Sequence, residues 1–328
     1  MMRFGTIGTG WITDAFIDAS KSSENFRHNA VYSRTSEKAN MFADKHNVKN
    51  VFTDIEQMAK SRELDCVYIA SPNSMHIEHA ITVLKQKKHV VCEKPIFSNT
   101  EEWKKAHQIA EENNVYLFEA MRNIHSPNFK SLKDNVDKIG NVRSMSLHLI
   151  QYSSRYDKYL QGENPNIFTA EFSGGALVDL GVYPLSVAIA LFGQPENISY
   201  FPVKLKSGVD GNGTLVLTYS DFTCTILCSK ISNSFNSCEI QGEQGTLIFD
   251  DAGEINNPRL FKTPSKERVT LNSVNQDNNM VFEIDHFARI IETGNDKAYK
   301  ELKELSFNVL SVTEEARIQT GIVFASEK

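Results

Sequence analysis

Two stretches of this 328-residue chain carry side chains whose types and spacing can do acid–base chemistry. Cys92-Glu93-Lys94-Pro95 follows a short apolar run, and a lysine there can donate to a substrate oxygen or set a positive charge beside a reacting centre. Pro95 fixes the turn and is a candidate cis peptide. Gly174-Gly175-Ala176-Leu177-Val178-Asp179-Leu180-Gly181-Val182-Tyr183-Pro184 sets a carboxylate and a phenol four residues apart, on one face of an expected α-helix. An ordinary phenol titrates near ~10 and is a poor base at neutrality, so it needs a neighbouring cation that favours phenolate. Lys94 and, separately, the Asp179/Tyr183 pair are therefore candidate catalytic groups, with the proton carrier either Lys94 or Tyr183.

A second kind of chemistry, anion binding, is written in Gly8-Thr9-Gly10-Trp11-Ile12-Thr13. One glycine allows a tight turn, another lets a pyrophosphate approach the backbone, and the following helix offers free N–H donors and a positive dipole end. Thr13 stands where a third glycine is usual, a packing position. Trp11 either flanks a cofactor or packs. At the end of the second expected strand, Ser33-Arg34-Thr35-Ser36 offers no carboxylate for a ribose hydroxyl, whereas Arg34 can pair with a 2′-phosphate. NADP is the preferred cofactor and NAD the alternative. Ser71, Asn73 and His76, in Ser71-Pro72-Asn73-Ser74-Met75-His76, and Glu93 complete the cofactor-side candidates; His76 reads equally well as a residue that satisfies the next helix.

The elements that must position these groups alternate in the first third. Strands are expected at 2–7, 29–33, 51–52, 66–70, 89–92 and 115–118, and helices at 11–20, 36–46 with Ser36 as N-cap, 55–61, 77–85 and 101–113. That rhythm gives a parallel sheet covered on both faces, a doubly wound α/β fold. Beyond residue 121 the pattern changes to strands at 142–152, 214–219, 222–229, 238–241 and 245–249, with Asp210-Gly211 and Asp251-Ala252-Gly253 as turns. Helices return at 280–292 and 301–324. The expected organisation is a dinucleotide-binding domain, 1–121, and a substrate-binding and oligomerising α+β domain with a large, mainly antiparallel open sheet, 122–328. Substrate choice falls to the second, around Arg122, Tyr152, Arg155 and Phe168.

Composition removes other classes. Hydrophobic residues make up 41% and charged residues 23%, enough to bury a sizeable core. A net charge of −6 argues against nucleic acid as partner. No apolar run spans a membrane and the N-terminus lacks a cleavable signal, so a cytoplasmic location is expected. Five cysteines suit a reducing compartment better than a disulfide framework. Cys224 and Cys228 share one face of a strand but lack the CxxC partner of a zinc site, and no metal is expected. No serine nucleophile elbow is present.

The ordered set Gly8-x-Gly10, Ser71-Pro72-Asn73-x-x-His76, Glu93-Lys94-Pro95 and Gly174-Gly175-Ala176-x-x-Asp179-x-Gly181-x-Tyr183 resembles the Gfo/Idh/MocA oxidoreductases over nearly the whole chain, and Glu283-Ile284-Asp285-His286-Phe287 adds to the likeness. The resemblance implies a Rossmann domain followed by an open-sheet domain used in oligomer contacts, as a dimer or tetramer. It also implies that Lys94, Asp179 and Tyr183 face a small sugar, polyol or diol exchanging hydride with a nicotinamide. Tyrosine at position 183, where many members carry histidine, is similar to the dihydrodiol dehydrogenase and glucose–fructose oxidoreductase branches, which tend to use NADP. The competing reading is a non-catalytic sensor or regulator of the same fold. Its mark is loss of the lysine or of the Asp/Tyr pair, and both stand here.

Overall fold

Short apolar strands alternating with helices build the first sheet. The computed structural model describes residues 1–328, in which β1 (Met2–Ile7), α1 (Trp11–Lys21), β2 (Phe26–Tyr32), α2 (Ser36–His46), β3 (Asn50–Phe52), α3 (Ile55–Lys60), β4 (Cys66–Ile69), α4 (His76–Leu84), β5 (His89–Glu93), α5 (Thr100–Glu112) and β6 (Leu117–Ala120) follow in turn. The strands lie in the order β3-β2-β1-β4-β5-β6, and every pairing is parallel. The order reverses between β1 and β4, where a doubly wound sheet opens its ligand crevice at the strands' carboxyl ends.

Helix starts are set by side chains. Thr35 accepts from the Lys38 N–H, Asp54 from Gln57 and Asn99 from Glu102. The cap of α2 is thus Thr35, not Ser36: Thr35 keeps an extended backbone, φ −122° and ψ 139°, while Ser36 is already helical. Phe4, Phe16 and Tyr68 anchor the core, with Phe16 and Tyr68 stacked at 3.8 Å between centroids.

The chain divides into two units, 1–120 with 278–307 and 121–277 with 308–328. Helix α9 (Met280–Thr293) lays Met280, Ile284 and Phe287 into the core of the first sheet, Phe287 stacking on Phe118 at 4.5 Å. α10 (Asp296–Gln319) follows. This return of the chain is a long-range packing event that a linear division at 121 does not display.

The second unit holds α6 (Pro127–Lys133), β7 (Val142–Ile150), α7 (Tyr156–Leu160), α8 (Val182–Phe192), β8 (Asn197–Lys204), β9 (Asp210–Thr218), β10 (Thr223–Ser229), β11 (Cys238–Gly242), β12 (Gly245–Phe249), β13 (Arg259–Lys262) and β14 (Arg268–Thr270). Its eight-stranded sheet runs β14-β13-β12-β11-β7-β10-β9-β8, antiparallel except for β7 with β10. β8, β13 and β14 are additional to the expected strands. Pro202 interrupts the strand pattern of β8, which sits at the sheet edge where proline is tolerated. Asp210-Gly211, expected as a turn, lies inside β9; the turn falls at 205–209, where Gly208 takes φ +88°. Cys224 and Cys228 point inward from β10, and all five cysteines are unpaired and buried. No helix is long and apolar enough to cross a membrane.

Candidate active site

In the first unit the candidate residues collect on the loops after β1, β2, β4 and β5. Gly8 has φ +116°, and a Cβ there would stand 2.6 Å from the Ala70 carbonyl oxygen. Gly10 is the N-cap of α1 and carries no side-chain cap, unlike the starts of α2, α3 and α5. A Cβ on Gly10 would meet nothing within 4 Å, so the space before the helix is open. An uncapped helix N-terminus behind a glycine turn fits a pyrophosphate. Trp11 is 68% exposed and adds little to the core, while Ile12 packs against it. Arg34 is exposed beside the Thr35 cap, and the Ser33 N–H donates to Phe52 O at 3.2 Å.

The loop after β4 is tied inward. The Ser71 hydroxyl bonds His79 Nδ1 at 2.9 Å, and Asn73 opens a short 3-10 turn. His76 is buried; its Nε2 lies 2.8 Å from Ser71 O and its Nδ1 3.1 Å from Pro95 O. The ring thereby staples this loop to the lysine turn. Burial lowers the pKa of His76, and lowers that of His79 to about 4.

Lys94 sits on a turn held from several sides. Glu93 accepts from the Tyr68 hydroxyl at 2.6 Å and from the Lys94 N–H at 3.3 Å. The Lys94–Pro95 peptide is cis, as the sequence allowed. The Ile96 N–H donates to Glu119 Oε1 at 3.0 Å. Burial pushes the Glu119 carboxyl up to about 7, against the ionised form favoured by its hydrogen bonds. The sequence reading passed over Glu119, whose only signal is its place opposite Cys92 in the β5–β6 register.

In the second unit Asp179 and Tyr183 do not share a regular α-helix. Leu177–Gly181 forms a π-helical turn, and α8 begins at Val182. Such bulges cluster at functional sites because the widened turn re-aims a side chain. Glycines permit the approach: a Cβ on Gly174 would lie 2.7 Å from the Ile167 carbonyl, and one on Gly175, at φ +137°, 2.3 Å from Asp210 Oδ1. Asp210 accepts from the Leu177 N–H and the Tyr200 hydroxyl, each at 2.7 Å. Lys230, just after β10, pairs with Asp179. Arg122 lies 5.9 Å over the Tyr183 ring and reaches Glu254 at 3.2 Å. Asn123 donates to Tyr183 O at 3.1 Å and Ala252 O at 2.8 Å. Sequence reasoning missed Lys230, Asp210 and Asn123; none belongs to a contiguous motif.

Comparison with known proteins bears on both units. Residues 2–121 match the family model described as "Oxidoreductase family, NAD-binding Rossmann fold", and residues 130–248 match the GFO/IDH/MocA C-terminal domain. The chain is 41% identical over 330 residues to the scyllo-inositol 2-dehydrogenase (NADP(+)) IolU of Bacillus subtilis, covering 100% of each. It is 25% identical to a trans-1,2-dihydrobenzene-1,2-diol dehydrogenase of Xenopus tropicalis, covering 98% of this chain and 99% of that one. A crystal structure of the 3-ketoreductase KijD10 from Actinomadura kijaniata with NADP shares the fold, with a TM-score of 0.80 at 21% identity over 97% of each chain.

Proposed function

Because the chain belongs to the GFO/IDH/MocA family of oxidoreductases, we propose that it is an NADP-dependent dehydrogenase interconverting a secondary alcohol of a cyclic polyol, of the scyllo-inositol type, with its ketone. The observation that carries the reading is the presence in one chain of Lys94, Asp179 and Tyr183, each fixed by its own surroundings. Full-length similarity to an inositol dehydrogenase supports the substrate class, and Arg34 without a neighbouring carboxylate supports NADP over NAD.

The bound dinucleotide supplies a hydride acceptor for oxidation and a donor for reduction. The chain's own groups do the rest. The backbone N–H groups at the start of α1 would take pyrophosphate oxygens, Arg34 and Ser33 would take the 2′-phosphate, and Ser71, Asn73 and Glu93 would shape the cofactor side. In oxidation the carbinol carbon loses a hydride and its hydroxyl loses a proton. Tyr183 Oη, acting as a phenolate, would take that proton and become the phenol, and the Lys94 ammonium would hold the developing oxygen charge. Asp179 accepts a hydrogen bond from a neighbouring substrate hydroxyl.

The test is NADP+ reduction, followed by near-ultraviolet absorbance, with scyllo-inositol, other inositols, a trans-dihydrodiol and aldoses. Turnover with the inositols at kcat/KM well above the aldoses is expected, and no turnover with any of them overturns the reading. The same reading places the protein in the cytoplasm, supported by five unpaired cysteines, and associates copies through the second sheet, whose β8 leaves Phe201 and Val203 exposed. A dimer or tetramer by light scattering is expected.

A further inference from the structure

We propose that Lys230 is a positioning residue for the reacting end of the chain: its ammonium keeps the Asp179 carboxylate ionised and aimed. The inference rests on the reading above for its link to turnover, though not for its electrostatics.

Lys230 is placed by backbone on both sides. Its N–H donates to Gly211 O at 2.8 Å, and its carbonyl accepts from Ser153 N at 2.9 Å. The side chain is 2% exposed, against 28% for Asp179. Lysines are almost never so buried without a counter-ion, because the ammonium loses its hydration. Here the Asp179 carboxylate is in direct contact, and the Phe168 ring lies 5.2 Å from Nζ. The ammonium is shut in and the carboxylate is the half that reaches outward, so Lys230 acts through Asp179.

A second grip fixes the start of the same turn. Buried Asp210 holds the N–H of Leu177, the first residue of the π-helical turn; burial raises its pKa, against the hydrogen bonds from Tyr200 and Leu177 and the Lys230 charge, which favour the ionised form. Lys230 holds Asp179, two residues further on. Lys230 from the end of β10 and Asp210 from the start of β9 thus hold two positions of one five-residue turn. Titratable groups around it include Asp210 from β9, Tyr200 from β8, Cys228 and Lys230 from β10 and its end, and Tyr183 from α8, with the Arg122 guanidinium 5.9 Å over the Tyr183 ring. Lys230 is the cation in direct contact with Asp179.

Carbon-13 NMR of the aspartate carboxyl groups in the full chain, with the Asp179 signal assigned by Asp179→Asn, reads the linkage directly. Replacing Lys230 by Met is expected to raise the Asp179 midpoint by about 1–2 pH units, since removing an opposite charge disfavours the ionised form. Lys230→Arg is expected to restore it. If the Met variant does not fold, Lys230→Gln removes the charge and keeps a donor. An unchanged midpoint in the neutral variant overturns the proposal.

Kinetics with NADP+ and scyllo-inositol supply the functional arm. The neutral variant is expected to lose about 10–100-fold in kcat, with the acid limb of kcat/KM moved to higher pH and NADP+ affinity within about twofold. A lower rate with an unmoved limb marks Lys230 as merely structural and overturns the proposal. Tyr183→Phe is the control: full turnover in that variant sinks the dehydrogenase assignment of Tyr183 while leaving the NMR result to stand or fall by itself.

Discussion

The glycine turn after β1 and the Asp179–Tyr183 segment are built in opposite ways. The first presents backbone. Gly8 and Gly10 clear space, no side chain caps α1, and the donors are N–H groups that any sequence would supply. The second presents side chains held by other side chains. Asp179 is gripped by Lys230, Leu177 by Asp210, and the Tyr183 backbone by Asn123. A backbone site tolerates exposure because its donors cost no desolvated charge. A side-chain site needs buried counter-ions to hold its geometry, and each buried partner raises the cost of losing another.

That contrast predicts where damage is largest. Tyr183→Phe removes one oxygen from the reacting side, so kcat is expected to fall by about 10²–10⁴-fold with NADP+ affinity unchanged. Steady-state rates beside cofactor titration check this, and parallel losses in both would mean that the hydroxyl serves structure. On the backbone side, Gly8→Ala forces a Cβ to within 2.6 Å of the Ala70 oxygen at φ +116°. A loss of about 1–3 kcal/mol in stability, with weaker NADP+ binding, is expected by urea unfolding and titration. A neutral result would show that the turn relaxes freely.

Arg34→Ala sharpens the comparison by removing the side chain proposed for a single cofactor group. The ratio of NADP+ to NAD+ kcat/KM is expected to fall about 10–100-fold, as for loss of a charge-assisted pair to phosphate. An unaltered ratio would assign the 2′-phosphate to other groups.

The smallest expected effect lies behind Lys94. The Glu119 carboxyl titrates near 7 in the folded chain against an ordinary 4.5, so the fold holds that proton more tightly than the unfolded chain does. The stability this contributes is fully present below about 4.5 and is lost as pH rises through about 7. Glu119→Gln removes the loss and keeps an acceptor for the Ile96 N–H. Relative to the parent, the variant should gain about 2 kcal/mol between pH 5 and pH 8 in urea unfolding. A pH-independent difference would contradict the assignment.

How much the sequence disclosed follows the same division. The glycine turn, Lys94 and Tyr183 could be proposed from sequence because each belongs to a contiguous run whose neighbours state its context. Every strand of the first sheet was legible as well, since each is a short run between helices, most of them buried, although β3 is only half-buried. Lys230 and Asp210 were not: they reach their partners through the register of β9 and β10, and a linear reading took Asp210-Gly211 for a turn. The π-helical turn was equally hidden, since a four-residue spacing fits an α-helix and only the grips at Leu177 and Asp179 betray the wider winding. Packing of α9 on the first sheet depends on Phe287 meeting Phe118, which lies far away along the chain.

The central proposal is that Lys94 and Tyr183 serve the same dehydrogenase reaction. The most direct test is a double-mutant cycle of Lys94→Met and Tyr183→Phe on kcat/KM for scyllo-inositol with NADP+. Groups that act as one set are strongly non-additive. The double variant is therefore expected to be about as slow as the slower single variant, whereas losses that simply multiply would contradict the account.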